Sequence, residues 1–167
     1  DLRVNLLKAT VAEVRKILRA EDIVARVTSL SPWGLRCDPG SNVSASNAFK
    51  EGLVEFQDEA SQVAALLCDA KPGMQVMDFC SGTGGKTLAL AACMQNKGHL
   101  VACDISEEFT AIARRHWQAA GVADRIELVI APAKATLERA FSATELLVNG
   151  MIAGTTVPEF VQEPSPL

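Results

Sequence analysis

Met74-Gln75-Val76-Met77-Asp78-Phe79-Cys80-Ser81-Gly82-Thr83-Gly84-Gly85-Lys86-Thr87 runs from a compact apolar segment into a glycine loop, and a helical pattern follows over residues 87–94. A glycine turn between a strand and a helix is the setting in which such a turn holds a ligand. Gly82 and Gly84 carry no Cβ, so the backbone can bend sharply there and come close to a bound group. The amides that open the next helix favour an anionic group in front of them. Residues 98–103 predict a second strand, and Asp104 ends it twenty residues after Gly84. An acidic side chain at that place meets ribose hydroxyls in folds of this kind.

Three forms of the loop compete. A phosphate-binding G-x-x-x-x-G-K-[ST] loop needs glycine at position 80, and Cys80 stands there. A nicotinamide-type G-x-G-x-x-G fails at its last glycine, where the chain has Thr87. The spacing D-x-[G/C]-x-G-x-G, here Asp78, Cys80, Gly82 and Gly84, is the form that binds S-adenosylmethionine (SAM). A glycine turn without a ligand is the bland alternative, and Asp104 weighs against it.

The flanking sequence sets this loop in an α/β frame. Thr10-Val11-Ala12-Glu13 is a capping box, and Val11, Val14, Ile17 and Leu18 then share a helical face. Residues 2–5, 23–28 and 34–37 read as short strands, and Asp38-Pro39-Gly40-Ser41-Asn42 as a turn. Residues 1–50 therefore form a small α+β appendage. Asp58 caps a helix through Cys68. After the glycine loop, Ser106 caps a helix to about Ala120 that Gly121 stops, and residues 126–130 are a third strand. A weaker helix over 133–141 and a fourth strand over 145–148 complete the alternation. Strands and helices alternating at this spacing give βαβ units and a parallel sheet of about four strands. The expected division is an appendage over 1–50, a truncated Rossmann-like SAM-binding domain over 51–156, and an irregular tail over 157–167.

Composition sets bounds. With 49% hydrophobic and 22% charged residues in 167, the chain reads as one ordinary globular domain with room for an appendage. No apolar run approaches the roughly 18 residues that span a bilayer, and Asp1-Leu2-Arg3-Val4 lacks a signal-peptide layout. The net charge of −4 argues against a chain-wide nucleic-acid footprint, yet residues 1–50 hold eight Lys/Arg against five Asp/Glu. RNA contact through that N-terminal part is the partner this imbalance allows. Cys37, Cys68, Cys80, Cys93 and Cys103 show no CxxC spacing, and four lie among apolar residues, so buried thiols in a reducing, cytoplasmic compartment are expected. Cys80 reads as a packing residue, although a helix N-terminus could lower its pKa. Cys93 and Cys103 read as core, His99 and His116 as surface residues, and Trp117 as a core or crevice-wall aromatic. No metal-ligand cluster is visible, and membrane binding is not expected.

Arg3-Val4-Asn5, Leu7-Lys8-Ala9-Thr10, Glu55-Phe56-Gln57-Asp58-Glu59-Ala60-Ser61-Gln62 and Lys71-Pro72-Gly73, followed by Asp78-Phe79-Cys80 and Gly84-Gly85-Lys86-Thr87, occur in one order. Together they resemble the RNA (cytosine-5) methyltransferases of the Sun/RsmB type over residues 2–104. The usual loop of that family reads C-A-A-P-G-G-K-T or C-A-G-A-G-G-K-T, and Ser81-Gly82-Thr83 departs from its middle. The resemblance implies a Rossmann-like SAM-dependent methyltransferase sheet, with Cys80, Ser81, Gly82, Thr83, Gly84, Gly85 and Lys86 lining the methionine moiety and Asp104 on the ribose. With Asp78 and Asn149 these are the candidate cofactor-binding residues; the catalytic residues are left unassigned. Residues 107–133 look more like small-molecule O-methyltransferases of the caffeoyl-CoA and catechol type, which leaves a composite of two methyltransferases open.

Some departures bear on activity. The family's D-A-P-C-S-G motif corresponds here to Asn149-Gly150-Met151-Ile152-Ala153-Gly154, with Ile152 in place of the cysteine and Asn149 in place of the aspartate. The attacking cysteine belongs to a still later strand, and Ala131-Pro132-Ala133 offers no adenine-binding acid. The expected function is a SAM-binding domain of an rRNA-processing cytosine-5 methyltransferase, its catalytic cysteine part absent or altered and the chain alone inactive. A small-molecule O-methyltransferase and a non-catalytic or engineered SAM-binding or folding module are the alternatives. An edge left open at residues 145–154 predicts a homodimer or strand exchange through that segment.

Overall fold

In the computed structural model, which describes residues 1–140, β1 (Leu2–Val4) is an inner strand with partners on both sides. It pairs antiparallel with β3 (Gly34–Cys37) and β4 (Val54–Phe56), and β2 (Ala25–Val27) adds to β3, giving the order β2-β3-β1-β4. Leu2 lies opposite both Leu35 and Phe56, and Val4 opposite Val54. The fourth strand lies past residue 50. Successive side chains alternate between the faces of β1. Leu2 and Val4 join Val14 and Leu18 of α1 (Val11–Ala20) in one apolar cluster, together with Leu35 and with Ala48 of the short α2 (Asn47–Lys50). Arg3 points to the opposite face, is 1% exposed, and donates to the Glu55 carboxylate at 2.6 Å. The Thr10 capping box forms in both directions: the Thr10 amide donates to Glu13 Oε2 at 2.8 Å and the Glu13 amide to Thr10 Oγ1 at 3.3 Å.

α3 (Glu59–Leu67), capped by the Asp58 carboxylate on the Ala60 amide at 2.8 Å, ties the two sheets together. Its polar side chains face the antiparallel sheet. Gln62, fully buried, donates to the carbonyls of Leu2 and Gln57 and accepts from Ser31 Oγ at 2.7 Å. Glu59 accepts from the amides of Leu30 and Ser31 and from Arg36. The Leu30 amide above all holds the Glu59 carboxyl below the usual range, against the effect of burial. Ala65 of the same helix enters the apolar cluster of the parallel sheet.

That sheet has the order β5-β6-β7, formed by Gln75–Asp78, His99–Asp104 and Ile126–Ile130, all parallel. α4 (Gly85–Cys93) links the first pair and α5 (Glu107–Ala120) the second, with α6 (Ala133–Ala140) after β7. Leu88, Leu90, Met94, Leu100, Ala113, Trp117 and Val122 fill the core between helices and sheet. α4 starts at Gly85, two residues before the predicted start, because Gly84 at φ +84° is itself its N-cap. The strand predicted at 145–148, Asn149, Ile152 and the interface predicted over 145–154 lie outside the described residues.

Candidate functional site

Parallel strands bring their C-terminal ends to one edge, and in open α/β sheets the crevice outside that edge takes the ligand. Asp78 at the end of β5 lies opposite Ala102, so the loop that follows it runs past the end of β6 and meets Asp104. The meeting is direct. The Gly82 amide donates to Asp104 Oδ2 at 2.8 Å, and the Ser106 amide donates to Oδ1 at 2.9 Å. The Ser81 amide donates to the Cys103 carbonyl at 3.0 Å, and the Gly84 amide to the Ser81 carbonyl at 2.8 Å. Asp104 and the loop predicted from spacing therefore share one crevice, and the carboxylate fixes the loop as well as facing it.

Asp78, one of the candidate cofactor-binding residues, is the last residue of β5. It is 6% exposed and sits beneath the loop, where Oδ2 accepts from the Thr87 hydroxyl at 2.8 Å, tying strand end to helix start. Burial pushes its carboxyl up, with Thr87 and Lys86 pulling the other way. A carboxyl raised on folding binds its proton more tightly in the native chain than in the unfolded one, so it makes stability fall as pH climbs past 3.8 through the folded value. Asp78→Asn keeps an acceptor for Thr87 and carries no charge. Urea unfolding should therefore show the variant gaining on the wild type as pH rises from about 4 to about 7; a gap that does not change with pH would refute this role.

Cys80 is exposed rather than packed. Partial loss of water around the sulfur, followed by the nearby Asp104 and Asp78 carboxylates, pushes its thiol up, the reverse of the lowering that a helix N-terminus alone would give. Ser81 is buried, and its hydroxyl has no protein partner. An orphaned hydroxyl of this kind is costly unless something bonds it. A Cβ on Gly82 would meet nothing within 4 Å, so the loop is open on that side. Thr83 is exposed, and Gly85 and Lys86 are half-buried at the start of α4. Just past Asp104, Ile105 stands 72% exposed and Phe109 47% exposed, apolar groups beside a carboxylate that sequence reading passed over. Their signal was present in the strand-ending Asp104-Ile105-Ser106, where an apolar residue precedes a helix cap. The loop and the end of β6 thus offer amides for an anion, a carboxylate for hydroxyls and an unpaired Ser81 hydroxyl, with the exposed apolar Ile105 and Phe109 following Asp104 in the chain. SAM carries a carboxylate, a ribose and an adenine, and these donors fit it.

His99 is exposed and meets Glu127 at 3.1 Å, His116 is exposed, Trp117 is buried, and Cys103 lies in the core. Cys93 is partly buried against the same cluster, and its thiol is pushed up to about 11, mainly by burial. Among the described residues no group of His, Cys, Asp and Glu could hold a metal ion, and no helix is long and apolar enough to cross a membrane.

An O-methyltransferase family model matches residues 43–148. The 25S rRNA (cytosine-C(5))-methyltransferase NSUN5 of Arabidopsis thaliana is 34% identical over 107 residues, 64% of this chain and 19% of that protein. Ribosomal RNA small subunit methyltransferase B of Pasteurella multocida (strain Pm70) is 35% identical over 115 residues, 69% of this chain and 25% of that protein. A solved methyltransferase homologue protein from Pyrococcus horikoshii superposes with a TM-score of 0.75 at 28% identity, covering 83% of this chain and 46% of that one. The chain thus spans about a fifth to a quarter of the two curated relatives. The parallel sheet is that of the Rossmann-like SAM-dependent methyltransferase fold. The Sun/RsmB resemblance and the O-methyltransferase resemblance are both present in this one chain.

Proposed function

The chain belongs to the O-methyltransferase family, whose cofactor is S-adenosylmethionine, and from that premise we propose that it is the cofactor-binding part of an RNA (cytosine-5) methyltransferase acting on ribosomal RNA. The observation that carries the reading is the joining of the glycine loop to Asp104 through the Gly82 amide, which sets an acid and a row of amides around one crevice. When bound, the cofactor supplies an electrophilic methyl group on a sulfonium.

The chain's own residues then have separable tasks. Asp104 keeps lone pairs free after accepting from Gly82 and Ser106, and these accept from ribose hydroxyls. The Gly85 and Lys86 amides at the start of α4 face a carboxylate, and the Lys86 ammonium adds charge there. The buried Ser81 hydroxyl donates to the same ligand, which gives it the partner it lacks in the protein. Gly82, Thr83 and Gly84 let the backbone approach, Cys80 stands at the mouth, and Asp78 braces the loop from below. Asn149 completes the proposed set. Cys80 is not assigned the attack on cytosine C6, because its thiol is held against ionisation. Supporting the RNA substrate are the names of the relatives and the excess of Lys/Arg over residues 1–50, with Arg15, Lys16 and Arg19 exposed on α1. A reducing, cytoplasmic setting belongs to the same reading.

A small-molecule O-methyltransferase is the second reading, favoured by the family description and by the stretch 107–133. Calorimetric titration with S-adenosylhomocysteine tests the cofactor, and tritiated methyl transfer from SAM, offered ribosomal RNA and catechol-like phenols in parallel, tests the substrate. Saturable binding with label in RNA supports the proposal; label in the phenol supports the second reading. Failure to bind S-adenosylhomocysteine overturns both.

A further inference from the structure

Two consecutive side chains of α5 reach two consecutive carbonyls of the glycine loop. Trp117 Nε1 donates to the Gly84 carbonyl at 3.3 Å, and His116 Nδ1 lies 3.3 Å from the Thr83 carbonyl. A carbonyl only accepts, so the His116 ring bonds it as the form that carries its proton on Nδ1. Trp117 is 2% exposed and approaches from the core, while His116 is exposed and approaches from the rim. The approach of Trp117 is possible because position 84 is glycine: a Cβ there would stand 2.4 Å from Nε1. Peptide planarity then settles what lies on the other side. With the Gly84 carbonyl turned to Trp117, the N–H of Gly85 in the same trans peptide is directed away from α5. The Gly84 carbonyl also accepts from the Leu88 amide at 3.0 Å, the first bond of α4, so the tryptophan secures the peptide at the helix start.

We propose that His116 and Trp117 are positioning residues that fix the 83–85 peptides and thereby aim the Gly85 amide at the anionic end of the cofactor. This rests on the reading that the loop holds SAM. It assigns to α5 a part that residue type alone did not indicate, since a surface histidine and a core tryptophan are ordinary on such a helix.

The test uses His116→Ala, His116→Gln and Trp117→Phe in the full chain. Three quantities are read: S-adenosylhomocysteine affinity by calorimetry, amide hydrogen exchange over residues 82–86 without ligand, and the thermal midpoint. Each variant that loses its N–H should bind about two- to tenfold more weakly, as expected for one neutral hydrogen bond. Exchange over 82–86 should quicken, and His116→Gln, which keeps a donor, should recover the affinity. The His116→Ala midpoint should stay at the wild-type value, because the side chain is exposed; this separates positioning from general destabilisation. Wild-type affinity and exchange in both His116→Ala and Trp117→Phe would overturn the inference. If Trp117→Phe does not fold, the exposed His116 pair decides alone. If the wild type binds no S-adenosylhomocysteine, the cofactor reading falls, while unchanged exchange in His116→Ala is still the result that removes the positioning role.

Discussion

Gly84→Ala is expected to unfold at markedly lower urea concentration than the wild type and to lose most of its affinity for S-adenosylhomocysteine. Two costs combine. Position 84 has φ +84°, a left-handed conformation that costs a residue with a Cβ roughly 1–2 kcal/mol. The added methyl would also stand 2.4 Å from Trp117 Nε1, 2.9 Å from Cε2 and 3.0 Å from the Ala113 Cβ. Trp117 is the largest fully buried side chain of the described residues, so overpacking against it adds about 1–3 kcal/mol. Gly82→Ala is the matched control. Its φ is +53°, so it carries the conformational cost, yet its Cβ would meet nothing within 4 Å. Equal urea midpoints for the two variants would show that the contact with Trp117 is not tight.

The second large effect is on binding. Asp104→Ala removes the acceptor of the Gly82 and Ser106 amides together with the carboxylate that faces the crevice. Hydrogen bonds to a charged group contribute roughly 1.5–3 kcal/mol each, so losing the ribose pair should weaken S-adenosylhomocysteine binding by about 100-fold or more. Asp104→Asn keeps one carbonyl acceptor and should fall between. The calorimetric titration that checks this needs a comparison at matched folding, read from the thermal midpoint of each variant. Unchanged affinity in Asp104→Ala would remove Asp104 from the ribose.

Local chemistry was the most legible part of the sequence. The Thr10–Glu13 capping box, the Asp58 and Ser106 caps and the Gly121 stop all depend on residues within four positions of one another, and each forms as read. Residues 126–130 form β7 as predicted, because Ile126, Val129 and Ile130 are β-branched and the run lies between Arg125 and Pro132, too short for a helix. The gathering of residues 80–86 with Asp104 was legible too, since parallel strands that end at one edge leave little choice. What escaped depends on distant partners. β4 is three residues long, with Glu55 in its middle, and is a strand only because Leu2–Val4 lies beside it. Gln62 reads as a solvent-facing helix residue until Leu2 and Ser31 bring it their unpaired groups. Asp78 was read from its spacing in the loop, and its bond from the Thr87 hydroxyl, nine positions on, shows only once strand and helix are placed together. His116 looked idle for a similar reason: it is exposed, and its neighbour Thr83 is thirty-three positions away.

The place of β1 has a consequence for synthesis. Within its sheet β1 is made before the two strands that flank it, which begin at Gly34 and Val54. A nascent chain elongating at about 5–20 residues per second leaves that strand without its second partner for about 3–10 s. Of the cluster that buries Leu2 and Val4, α1 is the first element made after them, and a ten-residue helix is marginal on its own. Leu2 and Val4 therefore stay incompletely covered, open to a chaperone or a neighbouring nascent chain, until residue 56 is clear of the ribosome and β4 can close the sheet on that side of β1.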